Sequence, residues 1–352
     1  MHFNNLKIKD GEGIKACNSD DYNYIFNKST GLFVRWGENK EDDPKYAPFP
    51  EILDIEISTV CNGLGKPCSW CYKANTHVGT NMTLETFKEV VSKINYCNGL
   101  TQVALGIGDI DANKDMYDIM QYCRDIGIIP NLTINGYKLD DYHAKKLSEL
   151  AGAVAVSHYG NDDICFNAIK KLTDLGMDQV NIHKLLAKET YKSCFDLVDK
   201  VKLDKRLEKL NAIVFLLLKP KGSRNKFHSV EEVDDYRKLI DCCFEKKVDF
   251  GFDSCSAGKF LKAIEGRENE KQLKMMAEPC ESGLFSFYCD VNGVAYPCSF
   301  MEGEGRWEKG INLLEIDDFK GEVWYNNKLI EWRENLLDKN KKGCFDCPYY
   351  DI

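Results

Sequence analysis

Short apolar runs alternate with longer amphipathic stretches through the middle of the chain, from about residue 52 to residue 253. The apolar runs have the length of strands, and the stretches between them repeat apolar residues at helical spacing. Strands are predicted in ILDIEIS, TQVALGI, IIPNLTI, GAVAVS, QVNIHKLL, AIVFLLL and VDFGFDS. Helices are predicted between them, at about residues 83–96, 114–125, 140–150, 162–175, 191–201 and 230–244.

Six strand-then-helix units predict a parallel sheet whose crossovers are right-handed. Thr83 is a suitable N-cap for the first helix, since its hydroxyl can accept a hydrogen bond from the first turn. Six units are too few for a closed barrel of eight strands. The pattern therefore predicts an α/β fold with a partial (β/α)6 TIM-like barrel.

Polar residues lie along one face of two predicted strands. Asn131, Thr133 and Asn135 share a face in one strand, and Asn181 and His183 share a face in another. Strands that are covered on both faces are usually almost entirely apolar. The pattern indicates either a wet or ligand-filled barrel lumen, or side chains that are hydrogen-bonded within the core.

The two ends of the chain differ from this middle part. YNYIFNKSTGLFVRWG predicts a β-hairpin in an N-terminal extension that covers residues 1–50, and EDDPKYAPFP reads as a connector. Residues 51–253 form the predicted barrel. Residues 254–352 are rich in Gly, Cys and turn signals, which predicts a small C-terminal α+β domain organised by metal.

The net charge of the 352 residues is −9, which argues against broad nucleic-acid binding because that activity needs a basic surface. One local exception, LKPKGSRNKFH, is either a solvated basic loop or a contact for an acidic substrate or a carboxylate. Its basic residues are Lys219, Lys221, Arg224, Lys226 and His228.

No apolar run approaches the roughly 20 residues of a membrane helix, and the N-terminus lacks the apolar segment of a secretion signal. A cytoplasmic protein without a membrane partner is therefore expected. Its sixteen cysteines then cannot be a disulfide framework. Cys123, Cys165 and Cys194 fall inside helical patterns and are expected in the core. The clustered cysteines indicate metal binding.

The first group consists of Cys61, Cys68 and Cys71, in the loop after the first barrel strand. Functional residues of such barrels lie on the loops that follow the strands. A structural zinc site would need a fourth ligand, for which His77 is available. An iron–sulfur cluster with one open iron would need only the three thiolates.

With CSWC as its second half, this loop resembles the signature of the radical S-adenosylmethionine (SAM) superfamily, C-x3-C-x-aromatic-C. Six residues separate Cys61 from Cys68, where three are usual, and Gly63, Gly65 and Pro67 would let the longer loop turn. The resemblance covers about residues 52–253. It implies a [4Fe–4S] cluster that binds SAM and cleaves it to methionine and a 5′-deoxyadenosyl radical.

The resemblance also implies the residues that bind SAM. LGIGDI stands where the family has a Gly-Gly-Glu-like motif, so Gly106, Gly108 and Asp109 are expected near the SAM amine. Ser157 stands where the family often hydrogen-bonds the ribose, and His183 is expected in the same pocket. Read from the residues alone, the glycines could be a plain strand-end turn and the histidine a structural hydrogen-bonding group.

A second group, Cys280, Cys298, Cys344 and Cys347, has the spacing C-x17-C-x45-C-x2-C. CDVNGVAYPC within it predicts a hairpin that turns at Asn292-Gly293. This part resembles the Twitch domain, a shortened relative of the SPASM domain, which implies one auxiliary [4Fe–4S] cluster on the four cysteines. Structural zinc on the same four thiols is the alternative.

Cys255 and Cys289 are left over. Cys255 follows the last barrel strand, so it is expected at the barrel mouth, together with Asp253 and Lys259. Its thiol is a candidate hydrogen-atom donor, as in radical epimerases, or a substrate anchor, but a merely buried or solvent-facing thiol would give the same sequence. Cys289 precedes the predicted turn and could replace one ligand of the second group.

The predicted function is that of a radical SAM oxidoreductase or maturase that abstracts hydrogen from a peptide or small-molecule substrate. Oxidation, cross-linking and epimerisation are the expected outcomes, and a reductant such as flavodoxin or ferredoxin is the expected partner. The alternative is a non-catalytic zinc or iron–sulfur binding protein in which both cysteine groups are structural.

Overall fold

A computed structural model describes residues 3–338, and its N-terminal part is a four-stranded antiparallel sheet. Its strands follow each other as a meander: β1 (Lys7–Asp10), β2 (Ile14–Asn18), β3 (Asn23–Asn27) and β4 (Phe33–Trp36). The predicted hairpin is confirmed as β3 and β4. The first two strands were not predicted, because their short stretches mix lysines with the apolar residues and give only a weak alternation.

Seven parallel strands form most of a second sheet, and they occupy the segments that the sequence predicted. They are β5 (Ile52–Glu56), β6 (Gln102–Gly106), β7 (Ile129–Ile134), β8 (Val154–Ser157), β9 (Val180–Leu186), β10 (Ala212–Leu217) and β11 (Phe250–Phe252). Each strand pairs with the next in chain order. The expected partial (β/α)6 barrel is therefore confirmed.

The crossover helices also lie where they were predicted. They are α1 (Leu84–Ile94), α2 (Met116–Asp125), α3 (Asp141–Leu150), α4 (Asp162–Asp174), α5 (Tyr191–Val201) and α6 (Val233–Lys246). Thr83 caps α1, since its hydroxyl accepts a hydrogen bond from the Thr86 amide. None of the helices described here is long and apolar enough to cross a membrane.

The C-terminal part begins with α7 (Ala257–Ile264) and α8 (Glu270–Lys274) and ends with α9 (Asn327–Leu337). Between them lie β12 (Ser286–Cys289), β13 (Val294–Tyr296) and β14 (Ile311–Asn312). β12 and β13 form the predicted hairpin, with Gly293 at φ +81° in its turn. β12 also pairs in parallel with β5, so the barrel sheet continues into this part of the chain.

Side chains along β5 point alternately to the apolar core and to the barrel lumen. Leu53 and Ile55 are fully buried against the helices, while Asp54 and Glu56 point to the opposite face. A second apolar core, which includes Tyr24 and Phe49, lies under the N-terminal sheet beside the start of β7. Because parallel strands begin at one end of the barrel and finish at the other, the N-terminal sheet covers the end opposite the loops that carry the cysteines.

Candidate active site

The loop that follows β5 carries the first three cysteines and is closed by backbone hydrogen bonds. The Cys61 amide donates to the Thr76 carbonyl at 2.7 Å, and the Ala74 amide donates to the Cys71 carbonyl at 3.1 Å. Gly63 turns the loop at φ +60°, and a Cβ there would lie 3.2 Å from the Cys68 sulfur. The six-residue gap is therefore folded into a compact turn, which leaves the three thiols on one short loop.

A cavity of about 220 Å³ lies beside this loop at the ends of β5 to β8. Four of the residues predicted for the site line it, namely Cys61, Cys71, Gly108 and Ser157. Its other lining residues are Glu56, Ser58, Tyr72, Lys73, Asn75, Ile107, Thr133, Ile134, Asn135 and Tyr159. Gly108 must be a glycine, because a Cβ there would overlap the Cβ of Cys61.

Asp109 is buried behind the cavity and holds the cysteine loop. Its Oδ2 accepts hydrogen bonds from the Asn62 amide at 3.0 Å and from Asn62 Nδ2 at 2.6 Å. Its Oδ1 accepts from Asn135 Nδ2 at 3.1 Å, and the same Nδ2 reaches the Gly63 carbonyl oxygen at 3.1 Å. Asp109 and Asn135 therefore fix the cysteine loop against the ends of β6 and β7. A direct contact of Asp109 with SAM stays a prediction.

Gly106 and His183 lie outside the walls of this cavity as the described residues define it. Gly106 sits close to β5, where an added Cβ would be 3.1 Å from Glu56 Cα. His183 Nδ1 is 3.3 Å from the hydroxyl of Thr133, which does line the cavity. Burial lowers the pKa of His183 to about 4, so its imidazole is neutral at physiological pH.

The polar lumen side chains divide into two kinds. Thr133 and Asn135 line the cavity. Asn131 instead donates to Gln102 Oε1 at 2.8 Å, and Asn181 accepts from Asn211 at 2.8 Å. A polar lumen is therefore found near the ends of the strands, whereas Asn131 and Asn181 bond to neighbouring side chains that are half-buried or exposed.

A buried charge network missed in the sequence links the cysteine loop to the C-terminal hairpin. Lys73 Nζ is 3.0 Å from Glu56 Oε2 and also contacts the carboxylate of Glu302. It donates to the Tyr288 hydroxyl at 2.8 Å, and that hydroxyl donates to Glu302 at 3.1 Å. In the sequence, this network was indicated only by Glu56, an acidic residue within the apolar strand IEIS.

Burial raises the pKa values of two of the loop thiols, those of Cys68 and Cys61. The pKa of Cys68 rises to about 12, mainly through burial and then through the neighbouring thiols, while the charge of Arg224 acts in the opposite direction. Burial also raises the pKa of Cys61, and the Gly63 amide, which lies 3.3 Å from its sulfur, opposes that rise. The raised pKa values favour the protonated thiols of Cys61 and Cys68, so a metal centre must displace their protons to bind them.

The basic loop after β10 is engaged with protein groups. Lys219 contacts Asp253, and Lys221 Nζ donates to the Phe300 carbonyl at 2.8 Å. Arg224 donates to two carbonyls of the cysteine loop, and His228 contacts Glu189 at 2.7 Å. Lys226 is exposed. Four of the five basic side chains are therefore occupied. Lys219 and His228 contact carboxylates of the protein itself, which agrees with the second of the two interpretations of the sequence.

The two left-over cysteines have different surroundings. Cys289 is fully buried, its thiol donates to the Asp290 carbonyl at 3.4 Å, and burial raises its pKa well above the usual value. Cys255 is half-buried in the turn after β11. Burial raises the pKa of Cys255, the charge of Lys219 opposes this, and Cys280 and Cys298 are close enough to raise it further.

The second cysteine group is only partly described. Cys280 and Cys298 are half-buried, and Cys344 and Cys347 lie outside the described residues. Within residues 3–338, no three His, Cys, Asp or Glu side chains are grouped closely enough to hold one metal ion. A single zinc ion would need bonds of about 2.3 Å from each thiolate. The thiols of the first group would have to move together to form such a site.

No protein-family model matches the chain, and no curated protein matches it. Among solved structures it is similar to SuiB of Streptococcus suis, with a TM-score of 0.70 and 15% identity over 95% of this chain and 91% of SuiB. SuiB bound to its precursor peptide SuiA gives 0.69 and 15%, over 92% and 90%. The enzyme anSMEcpe with bound AdoMet gives 0.56 and 20%, over 80% and 79%.

These neighbours are radical SAM enzymes, and at 15–20% identity the likeness is one of fold. The chain therefore has the fold of the radical SAM enzymes. Its three-cysteine loop and cavity lie at the strand ends, which is the functional end of such a barrel.

Proposed function

We propose that this protein is a radical SAM enzyme. The observation that carries the proposal is the loop of Cys61, Cys68 and Cys71 beside a polar cavity at the ends of the barrel strands. Soft thiolate ligands are typical of iron–sulfur clusters. The fold that the chain shares with known radical SAM enzymes supports the same conclusion.

The residues present fit a [4Fe–4S] cluster held by the three thiolates. Gly63, Gly108 and Gly222 let backbone approach the loop where any Cβ would crowd it. The rings of Tyr159 and Phe227 pack on Trp70, with centroids at 5.6 and 5.3 Å, and cover this side of the loop from water. Bound there, the cluster would supply the electron that cleaves SAM to methionine and a 5′-deoxyadenosyl radical.

Cavity residues would bind SAM itself. The Ser157 hydroxyl lies at the end of β8 and can bond a ribose hydroxyl, and Gly108 lets the ligand approach the backbone. Glu56 and Lys73 bring opposite charges to the wall, so they suit a ligand that carries both an amine and a carboxylate. Asp109 positions the loop, and neutral His183 orients Thr133.

We further propose that the substrate is a peptide or small molecule, by analogy with SuiB bound to its precursor peptide and anSMEcpe bound to the Cp18Cys peptide. Cys255 is the candidate hydrogen-atom donor, because burial keeps its thiol protonated at the end of the last barrel strand. Cys280, Cys298, Cys344 and Cys347 are the proposed ligands of an auxiliary [4Fe–4S] cluster. A cytosolic flavodoxin or ferredoxin would supply electrons.

The proposal is tested with anaerobically purified protein. It should be brown, contain about eight irons per chain, and form 5′-deoxyadenosine from SAM when reduced. Cys71→Ala should abolish that cleavage and lower the iron content, whereas Cys242→Ser on the outside of the barrel should change neither. Colourless protein with stoichiometric zinc would instead establish the alternative, a non-catalytic zinc protein.

The role of Cys255 has its own test. Cys255→Ala should stop substrate turnover while SAM cleavage and iron content stay at the level of the unmodified protein. Unchanged turnover would exclude the hydrogen-donor role. A loss of iron would mean that Cys255 is a ligand, which its closeness to Cys280 and Cys298 makes the specific competing assignment.

A further inference from the structure

Arg224 reaches the cysteine loop from the far side of the barrel. Its Nη1 donates to the Ala74 carbonyl at 2.9 Å, and its Nη2 donates to the Asn75 carbonyl at 2.7 Å. Both carbonyls lie just after Cys71 in the chain. The planar fork of a guanidinium suits two neighbouring acceptors, and an ammonium group could not reproduce it.

The third nitrogen of the same side chain, Nε, can also donate a hydrogen bond. Arg224 Nε is buried and has no hydrogen-bond partner among the described residues. A buried donor without a partner is unfavourable, and such groups are rare. A positive charge and an unused N–H therefore lie against the loop that carries the thiols of the proposed cluster site.

The loop that carries Arg224 is held firmly. Gly222, at φ +99°, packs so closely that a Cβ would overlap the Cys71 carbonyl oxygen. Lys221 Nζ is tied to the Phe300 carbonyl, and Asn225 Nδ2 donates to the Lys219 and Lys221 carbonyls, each at 3.0 Å. The guanidinium is therefore fixed on a braced loop, so it stays in place when the charge of its surroundings changes.

We propose that Arg224 is a positioning residue that also raises the reduction potential of the cluster held by Cys61, Cys68 and Cys71, an inference that rests on the proposed function. One electron from the external reductant adds one negative charge to the site, and no bond forms or breaks in that step. A cation held against the cysteine loop stabilises the added charge. The cluster is then easier to reduce with Arg224 than without it.

The test compares four proteins that are reconstituted with iron and sulfide under anaerobic conditions. They are the unmodified protein, Arg224→Gln, Arg224→Lys and, as a matched control, Lys226→Gln, which removes an exposed charge from the same loop. Iron content is measured first. The midpoint potential is then measured by redox titration with EPR detection, using the signal that changes when SAM is added, since that signal belongs to the three-cysteine site.

Arg224→Gln should retain its iron and lower the equilibrium constant for reduction about tenfold, which is about 59 mV for a one-electron couple. Arg224→Lys, which keeps the charge but loses the fork, should show a smaller shift in the same direction. Lys226→Gln should match the unmodified protein, because solvent and salt screen its charge.

A potential in Arg224→Gln equal to that of the unmodified protein would overturn the inference, and so would an equal shift in Lys226→Gln. If Arg224→Gln fails to load iron, the measurement is made on Arg224→Lys. A lowered midpoint potential in Arg224→Lys supports the inference. An unchanged potential, or loss of iron in this variant too, overturns it. Failure of the proposed function is distinguishable, because the unmodified protein would then hold no SAM-responsive cluster at all.

Discussion

Replacing Lys73 with Met should destabilise the fold, because it removes the one cation from a buried network. The Lys73 and Glu56 side chains are 11% and 7% exposed, and Glu302 is 28% exposed. Met keeps the length of the side chain, so the change mainly removes charge. Glu56 is left with the Tyr288 hydroxyl, 3.4 Å away, and with the negative charge of Glu302, which further disfavours its ionised form. A buried carboxylate without a counter-charge is strongly unfavourable.

The loss of stability can be estimated because Glu56, without the charge of Lys73, can become neutral by binding a proton. Keeping the carboxyl neutral at pH 7.5, when its ordinary pKa is about 4.3, costs about 4 kcal/mol at 1.36 kcal/mol per pH unit, and at pH 5.5 it costs about 1.6 kcal/mol. This agrees with the 3–5 kcal/mol typical of broken buried pairs. Burial already raises the pKa of Glu56, and losing Lys73 would raise it further. A raised folded-state pKa means that stability is lost as pH rises.

Urea unfolding followed by tryptophan fluorescence, under reducing conditions at pH 7.5 and 5.5, measures this. Lys73→Met should lose about 3–4 kcal/mol at pH 7.5 and about 2 kcal/mol less than that at pH 5.5. Adding Glu56→Gln should restore most of the loss. Lys170→Met, which breaks an exposed pair with Asp174, should cost below about 1 kcal/mol. An equal loss at both pH values would refute the charge argument.

Three further outcomes are expected. Gly222→Ala should weaken iron retention and lower stability more than Gly176→Ala. Both glycines have a positive φ, but only at Gly222 would the added Cβ overlap a carbonyl of the cysteine loop. Equal losses of stability in the two variants and an unchanged iron content would contradict this. Burial and then the charge of Glu281 raise the pKa of Asp54 to about 7, so stability falls as pH rises from about 4 through 7. Asp54→Asn should therefore stabilise the protein at pH 8 and change little at pH 4, and urea midpoints at the two pH values check this. Cys298→Ala should lose about four irons by iron assay, while Cys289→Ala, in a site buried away from the other thiols, should lose none.

The barrel could be predicted from the sequence because its signals are local. Each strand is a short apolar run, and each helix has a period that buries one face, as α1 does with Phe87, Val90 and Val91. Thr83 caps that helix as its residue type suggests. The three-cysteine site could be predicted from the cysteine spacing in the same way, because its three thiols lie on one loop and can be recognised without the rest of the fold.

Contacts between distant segments carry no such signal. Lys73 and Glu302 are separated by more than two hundred residues, and nothing in either segment indicates the other. The helix α9 was missed because it lies among Gly-rich turns, and part of its buried side is polar, with Arg333 bonded to the Gly283 and Trp324 carbonyls. The contact of Arg224 with the cysteine loop was missed for the same reason, since its partner lies about 150 residues earlier.

Three separate sets of contacts hold the cysteine loop, and each involves a different part of the chain. Asp109 and Asn135 bind its first half through a buried carboxylate and an amide. Arg224 binds the segment after Cys71 from the opposite side of the barrel. Lys73 fastens that same segment to the C-terminal hairpin. These contacts exist only where the barrel strands are in place and the hairpin pairs with β5. The thiols of the loop are therefore arranged by the completed fold, and a cluster that binds them would stabilise that fold by mass action, in proportion to its affinity for the arranged site.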